Sequence, residues 1–329
     1  MASVDVVVPN YNYGRYLEAC VKSVLSQDIA QLRVLIVDNG STDHSVSVAT
    51  RLAAADPRIE LLLRPENRGP HASFNAGIDW ARADYFLLLF ADDFLVPGAL
   101  RRAATVMESD HEIAFCYGRD VAIRGDVPIP EIAPQPLNPP VALSSGRAFI
   151  ERFCRLGVFQ IPGPSIVVRT SVQKRAGHYR PALPHSDDYE LWLRLAMHGT
   201  VAALDCIQAG IRSHDANRST ELWKRQILHI LHTADAAESF FYHEGRWLDG
   251  AEALRRRARR GIAERAYWSA VSHALRGNSE AWKLLMLAFR LSPRTAMLPP
   301  LSYLLHRPDA MPKMRSLLAR LTPAGKSSR

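Results

Sequence analysis

The run Leu87-Leu88-Leu89-Phe90-Ala91 ends abruptly in two adjacent carboxylates, Asp92-Asp93. The apolar stretch suits a buried strand, and burying either charge without a partner would be costly. At the carboxyl end of a parallel strand, where open α/β sheets bind their ligands, the pair is instead placed for a metal ion, a ribose or a phosphate. A strand followed by an Asp-rich helix cap, with Pro97-Gly98 opening the next helix, accounts for the same residues. Two other apolar runs end in polar signatures. In Pro9-Asn10-Tyr11-Asn12, Tyr11 could stack on a planar base. In Val37-Asp38-Asn39-Gly40-Ser41-Thr42-Asp43, Asp38 can accept hydrogen bonds from a base or ribose, Gly40 lets the backbone come close, and Asp43 can cap the next helix. An Asx turn explains Asn39, Gly40 and Asp43 but leaves Asp38 unaccounted for. There is no GxGxxG after the first strand and no GxxxxGK[ST] in the chain, which disfavours dinucleotide and P-loop sites. A bound nucleotide would be held by Asp, Tyr and a divalent cation.

The elements that must position these residues alternate. Val4 to Pro9, Leu32 to Val37, Ile59 to Leu63 and Tyr85 to Phe90 read as strands, and helical patterns cover about Gly14 to Gln27, Asp43 to Ala55, Gly69 to Arg82 and Pro97 to Ser109. This βαβα order implies an α/β fold with a mostly parallel, Rossmann-like sheet carrying helices on both faces, whose strand ends form one ligand edge. A strand is expected at Ile113 to Tyr117, an irregular loop over the proline-rich Asp126 to Pro140, a strand at Ser165 to Arg169, a helix at Asp188 to His198, and one or two strands over Val201 to Arg212. From about Glu221 the pattern is helical, with Trp223, Ile227 and Leu231, and later Trp282, Leu285 and Phe289, at helical spacing. These stripes read as packing faces.

Composition narrows the class. The 329 residues are 47% hydrophobic, enough for a sizeable core. Lys and Arg outnumber Asp and Glu by 41 to 33, and the surplus gathers at Arg255-Arg256-Arg257 and Arg259-Arg260. That run is read as a solvated helix face, with anionic-lipid or phosphate binding as the alternative. No nucleic-acid partner is expected. Cys20, Cys116, Cys154 and Cys206 form no metal or redox motif and read as buried thiols of a reducing compartment. No secretory signal or bilayer-spanning run is visible, so the expected location is cytoplasmic, with contact at the inner face of the membrane left open.

Taken together, Val7-Val8-Pro9-Asn10-Tyr11-Asn12, Val37-Asp38-Asn39-Gly40-Ser41-Thr42-Asp43, Asn67-Arg68-Gly69 and Ala91-Asp92-Asp93-Phe94-Leu95-Val96-Pro97 resemble, in order and spacing, the family 2 glycosyltransferases. These are inverting enzymes with the GT-A nucleotide-sugar fold. The resemblance covers roughly residues 3 to 215. It implies a catalytic domain over 1–220, with a nucleotide-sugar half at 1–118 and an acceptor half at 141–220. A helical region at 221–322 and a flexible tail at 323–329 would follow. It also implies that Pro9, Tyr11 and Asp38 border the nucleoside, with Asp38 bonding the base. Asp92 would lie near ribose and metal, and Asp93 would bind Mg²⁺ or Mn²⁺ across the diphosphate. His185-Ser186-Asp187-Asp188-Tyr189-Glu190-Leu191-Trp192-Leu193-Arg194 resembles the family's acidic helix start, which makes Asp188 the general base and puts Asp187 on the acceptor side. The plainer reading gives both acids to the helix dipole. Gly163-Pro164-Ser165 resembles the acceptor-side turn. Arg212-Ser213-His214 resembles the Arg-x-His that closes the domain, where the His can contact metal or be structural.

Two departures stand out: Phe90 where many relatives carry Asp, and Phe74 where the Ala-Arg-Asn-x-Gly variant carries Arg. The latter puts that Arg contact in doubt. The implied reaction moves a sugar from a nucleoside-diphosphate donor, expected to be UDP- or dTDP-linked, to a hydroxyl of a glycan or lipid-linked acceptor in cell-surface polysaccharide synthesis. Two other readings remain open: a sugar-phosphate nucleotidyltransferase, and a non-catalytic nucleotide-sugar binding protein of the same fold. The helical region is read as a packing subdomain, with a homodimer contact or peripheral membrane docking as further options.

Overall fold

The computed structural model describes residues 2–159, 161–215, 217, 225–297 and 300. The tail expected at 323–329 lies outside them. The first strands follow the βαβα reading closely. They are β1 (Ser3–Asn10), β2 (Gln31–Asp38), β3 (Ile59–Leu63) and β4 (Tyr85–Leu88), separated by α1 (Gly14–Leu25), α2 (Ser45–Ala55) and α3 (Pro70–Trp80). All four strands are parallel, in the order β3-β2-β1-β4. The register pairs Asn10 with Asp38 at the carboxyl ends of β1 and β2, and Val7 with Leu88 next door.

Strand alternation sorts the two faces. Val4, Val6 and Val8 join a buried cluster with Leu17, Val21 and Val24 of α1 and Val48 and Leu52 of α2. Val7 faces the other way, against α3, where a side chain on Gly77 would meet Val7 Cγ1 at 2.4 Å. Helices therefore cover both faces, and both faces need apolar residues. This is why Val6 to Val8 of β1 and Val34 to Val37 of β2 read as continuous hydrophobic runs.

Beyond β4 come β5 (Phe94–Leu95), α4 (Ala99–Ser109), β6 (Ile113–Arg124), β7 (Val141–Ser145), α5 (Gly146–Leu156), β8 (Val167–Arg169), α6 (Thr170–Ala176), α7 (Asp187–Ala196) and β9 (Thr200–Ser213). Among the described residues they extend the sheet to nine strands, with β8 antiparallel between β4 and β6. β6 runs well past the expected Tyr117. Its second half carries Arg119, Asp120 and Arg124, a polar stretch with no strand signature, and is held by pairing with β9 through register shifts. The long β9 also forms one strand where one or two were expected. The proline-rich segment after β6 carries no regular structure up to β7.

The chain forms two compact units: residues 1–150 with 160–224, and residues 151–159 with 225–329. The second contains α8 (Gln226–Tyr242), α9 (Ala251–Ala274), α10 (Glu280–Leu291) and α11 (Pro293–Met297). All four cysteines are buried and free. Among the described residues no helix is long and apolar enough to cross a membrane.

Candidate active site

The carboxyl ends of β1, β2 and β4 are neighbours, so residues far apart in sequence meet at one sheet edge. Asp38 is fully buried there. Its Oδ1 accepts from Asn10 Nδ2 (2.8 Å) and Ser41 Oγ (2.6 Å), and its Oδ2 from the Ser41 N–H (2.9 Å). The neighbouring Asn10 Oδ1 is buried with no hydrogen-bond partner. Asn12 takes the left-handed conformation (φ 58°) and accepts from the Thr42 N–H at 2.7 Å, which ties the turn after β1 to the turn after β2. Gly40 (φ 75°) cannot carry a side chain, because its Cβ would lie 2.5 Å from the Glu66 carbonyl carbon. Asp43 stands one residue before His44, the N-cap of α2, and holds the first N–H of that helix. It bonds the Ser45 N–H (2.9 Å) and reaches across to the Gly14 N–H of α1 (3.1 Å). Pro9 is buried at the end of β1, whereas Tyr11 keeps 41% of its surface exposed and offers a ring face.

Asp92 and Asp93 sit in the turn after β4, both buried. They have different partners. Asp92 Oδ2 accepts from His214 Nε2 (3.2 Å) and Asn217 Nδ2 (2.9 Å), while Asp93 Oδ1 accepts from the Arg212 N–H (3.0 Å). The end of β9 is thus folded onto the turn after β4. His214 stacks on Tyr16 (centroids 4.9 Å apart) and meets the edge of Tyr13 at 5.3 Å. The Arg212 guanidinium covers Tyr16 (4.9 Å) and donates to the Gly125 and Val127 carbonyls. Asp126, at the start of the proline-rich segment, accepts from the Tyr16 hydroxyl and forms an ion pair with Arg15 (3.0 Å).

The electrostatics follow from burial. Loss of solvent, and behind it the Asp92 carboxylate, pushes the Asp93 carboxyl well above the usual carboxylate range, with the Arg212 N–H opposing. Burial and then Asp92 also raise the Tyr13 phenol, and burial with the Asp126 bond pushes Tyr16 up to about 12. Two crowded carboxylates of this kind fit a hard divalent cation. Among the described residues no three His, Cys, Asp or Glu side chains form a ready-made cage, so diphosphate and water oxygens would have to complete its coordination, as Mg²⁺ sites generally require.

The second acidic pair opens α7. Ser186, at φ 57°, shares with Asn12 the distinction of being a left-handed non-glycine among the described residues. Asp187 is buried and accepts from His71 Nε2 at 2.9 Å, a bond from the first turn of α3 to the first turn of α7. Asp188 is half-buried, and its Oδ1 accepts from the Tyr189 N–H (2.8 Å). The helix is anchored from behind by Glu190, fully buried against Arg194 (2.8 Å) and Arg180, and Arg194 also donates to the His178 carbonyl (2.7 Å). One face of α3 continues the contact. Phe74 packs on Tyr179 (5.1 Å), and Asn75 exchanges two hydrogen bonds with the Tyr179 backbone. Phe74 and Phe90, the two departures from the resembled pattern, are in edge contact at 5.5 Å. Ser165 is buried inside this unit, donating to the Pro162 carbonyl (2.8 Å) and bridging both backbone groups of Gly118 at 3.2 Å.

Asn217, Tyr13, Tyr16 and Asp126 did not emerge from the sequence reading. The two tyrosines had a signal: aromatic residues three apart where α1 begins, directly after Asn10-Tyr11-Asn12. Asn217 and Asp126 had none, because only the fold brings them to Asp92 and Tyr16.

Residues 5–155 match the family model described as glycosyl transferase family 2. That stretch, a little under half of the chain, is similar to that family, and the chain's first unit has the GT-A fold. An uncharacterized glycosyltransferase of Haemophilus influenzae is 31% identical over 122 residues, which span 35% of this chain and 49% of that protein. The GalNAc(5)-diNAcBac-PP-undecaprenol beta-1,3-glucosyltransferase of Campylobacter jejuni is 34% identical over 113 residues, 34% of this chain and 36% of that protein. The match therefore spans about half or less of these relatives. Among solved structures, S. aureus TarS 1-349 in complex with UDP-GlcNAc superposes with a TM-score of 0.64 at 16% identity, covering 97% of this chain and 91% of that one.

Proposed function

We propose that this protein is a divalent-metal-dependent inverting glycosyltransferase, moving a sugar from a UDP- or dTDP-linked donor to a hydroxyl of a glycan or lipid-linked acceptor at the cytoplasmic face of a membrane, in cell-surface polysaccharide synthesis. The observation that carries it is the convergence of Asp38, Asp92, Asp93 and His214 on one sheet edge of a family 2 fold. The UDP-GlcNAc bound to TarS and the undecaprenol-linked substrate in the Campylobacter enzyme's name support the donor and acceptor classes.

Pro9, Tyr11 and Asp38 border the nucleoside in this reading. Tyr11 supplies a stacking face, and Asp38 fixes Asn10 so that Asn10 Oδ1 can accept a base N–H. Asp93, with His214 as a second ligand and Asp92 in support near the ribose, would hold Mg²⁺ or Mn²⁺, which when bound neutralises charge on the departing diphosphate. Asp188 takes the proton of the acceptor hydroxyl. The hydroxyl oxygen bonds to the anomeric carbon as the bond to the diphosphate breaks on the opposite face, so configuration inverts and no covalent enzyme intermediate forms. Asp187, bound to His71, and Ser165, through the turn it braces, shape the acceptor side.

The test is Asp188→Asn. Transfer is expected to fall by about 10³-fold, within the range for a lost general base. Donor-dependent thermal stabilisation should persist, because binding to the native state alone raises apparent stability. Near-normal turnover would remove Asp188 from the role. Silence of the unmodified protein with metal and every donor would favour a binding protein, and exchange of label between a sugar 1-phosphate and a nucleoside triphosphate would favour a nucleotidyltransferase.

A further inference from the structure

The basic run singled out in the sequence is largely neutralised within the fold. In α9, Arg255 and Arg259 pair with Glu238, Arg256 with Glu252 and Arg260 with Glu264. Its charge is largely spent on its own unit and leaves little for an anionic partner.

The following helix is arranged differently. Leu284, Leu287 and Ala288 of α10 are buried, yet Trp282, Met286 and Phe289 are 67%, 49% and 47% exposed. Their spacing of four and then three residues puts them on one outward stripe, spanning roughly 10 Å at 1.5 Å per residue. Lys283 and Arg290 are exposed on the same helix and Arg294 is exposed on α11, and none of the three forms an ion pair among the described residues. A large aromatic and a long cation side by side suit the boundary between lipid headgroups and acyl chains: the indole is apolar with a polar N–H, and the cations can lie along the surface with their charge in the headgroup layer. No described helix is long and apolar enough to span a bilayer, so this helix can lie on a membrane but not cross it.

We infer that α10 docks the protein on an anionic membrane surface, with Trp282, Met286 and Phe289 entering the interface and Lys283, Arg290 and Arg294 facing the lipid phosphates. This deepens the reading of a membrane-bound, lipid-linked acceptor and rests on it only for purpose. Its test needs neither donor nor acceptor, so the two can fail separately.

The full chain is sedimented with sucrose-loaded vesicles of phosphatidylcholine alone or with about a third phosphatidylglycerol. The unmodified protein is expected to bind the anionic vesicles and not the neutral ones. Lys283→Glu/Arg290→Glu/Arg294→Glu should lower the partition coefficient by roughly 100-fold, and Trp282→Ala/Phe289→Ala by about 10-fold or more. All these side chains are exposed, so both variants should keep the parent melting temperature. Failure of the unmodified protein to bind anionic vesicles, or equal binding by the charge-reversed variant, overturns the proposal. So does a dimer seen by light scattering that Trp282→Ala/Phe289→Ala dissolves, because the stripe would then belong to a second copy of the chain.

Discussion

Two Asp-Asp pairs carry the chemistry proposed for this molecule, and they are built alike. In each, a histidine holds the first carboxylate: His214 on Asp92 at 3.2 Å and His71 on Asp187 at 2.9 Å. In each, the second carboxylate carries the proposed chemistry. Their settings differ. Asp92-Asp93 follows a buried strand and is sealed by the end of β9, so solvent is lost and Asp93 is pressed toward its neutral form. Asp187-Asp188 opens a helix whose N-terminal dipole favours negative charge, and Asp188 is only half-buried. The first setting suits a site completed by a cation, and the second suits a carboxylate that must stay ionised to accept a proton. The same dipeptide is given two chemistries by burial and by helix position.

The comparison can be broken most sharply at Asp93. Asp93→Asn should lower transfer by about 10³-fold and abolish the response to Mg²⁺ or Mn²⁺, and chelation of the unmodified enzyme should give the same loss, reversed by returning the metal. Initial rates over a metal titration check this, and a metal response retained by Asp93→Asn would assign the cation elsewhere. His214→Gln should cost 10- to 100-fold, the usual range for groups that support a metal site, with part of the loss recovered at high metal concentration. His71→Gln is expected to lower kcat by about 10-fold through misplacement of α7, with the donor KM changed less than about twofold. Adding Asp187→Asn to that variant should cost little more, since both act through one bond. A rise in metal requirement in His71→Gln would show that the two pairs are not separable. The smallest effect belongs to Ser165→Ala, expected to cost about 1–2 kcal/mol in denaturant unfolding with kcat within about twofold.

Sequence reading succeeded where local pattern and tertiary need coincide. β1 to β4 are short, mainly apolar runs because helices cover both faces; the Asp5 carboxylate buried inside β1 is neutralised by Arg33 of β2, and the polar strand ends mark the site. It fell short where pairing creates structure. Residues 118–124 of β6 are polar and exposed in part, and only the β9 partner makes them a strand. It also treated residues singly. Asp38 was read as a ligand contact, and its carboxylate is engaged with Asn10 and Ser41. Phe74 and Phe90 stand as two separate departures in the sequence, and in the fold they are one edge contact. Spacing in sequence carries no information on such encounters, which depend on how α3 lies against β4.

One consequence of α5 concerns how this protein could be taken apart. The chain leaves the first compact unit at residue 150, in the middle of that helix, and returns at residue 160. The excursion is firmly held. Phe153 and Phe159 stack at 4.8 Å, Arg265 donates to the Gly157 carbonyl (3.2 Å), and Gly261 must lack a side chain because its Cβ would strike the Cys154 carbonyl at 2.5 Å. A fragment ending at residue 155, where the family match stops, would cut this segment in two, and one ending at residue 224 would keep it and lose the partners that bury it. The helical region is therefore not a detachable cassette. Exchanging it between relatives requires joints near residues 150 and 160 as well as near 225, and such a graft carries with it a piece of the fifth helix, which begins in the first unit.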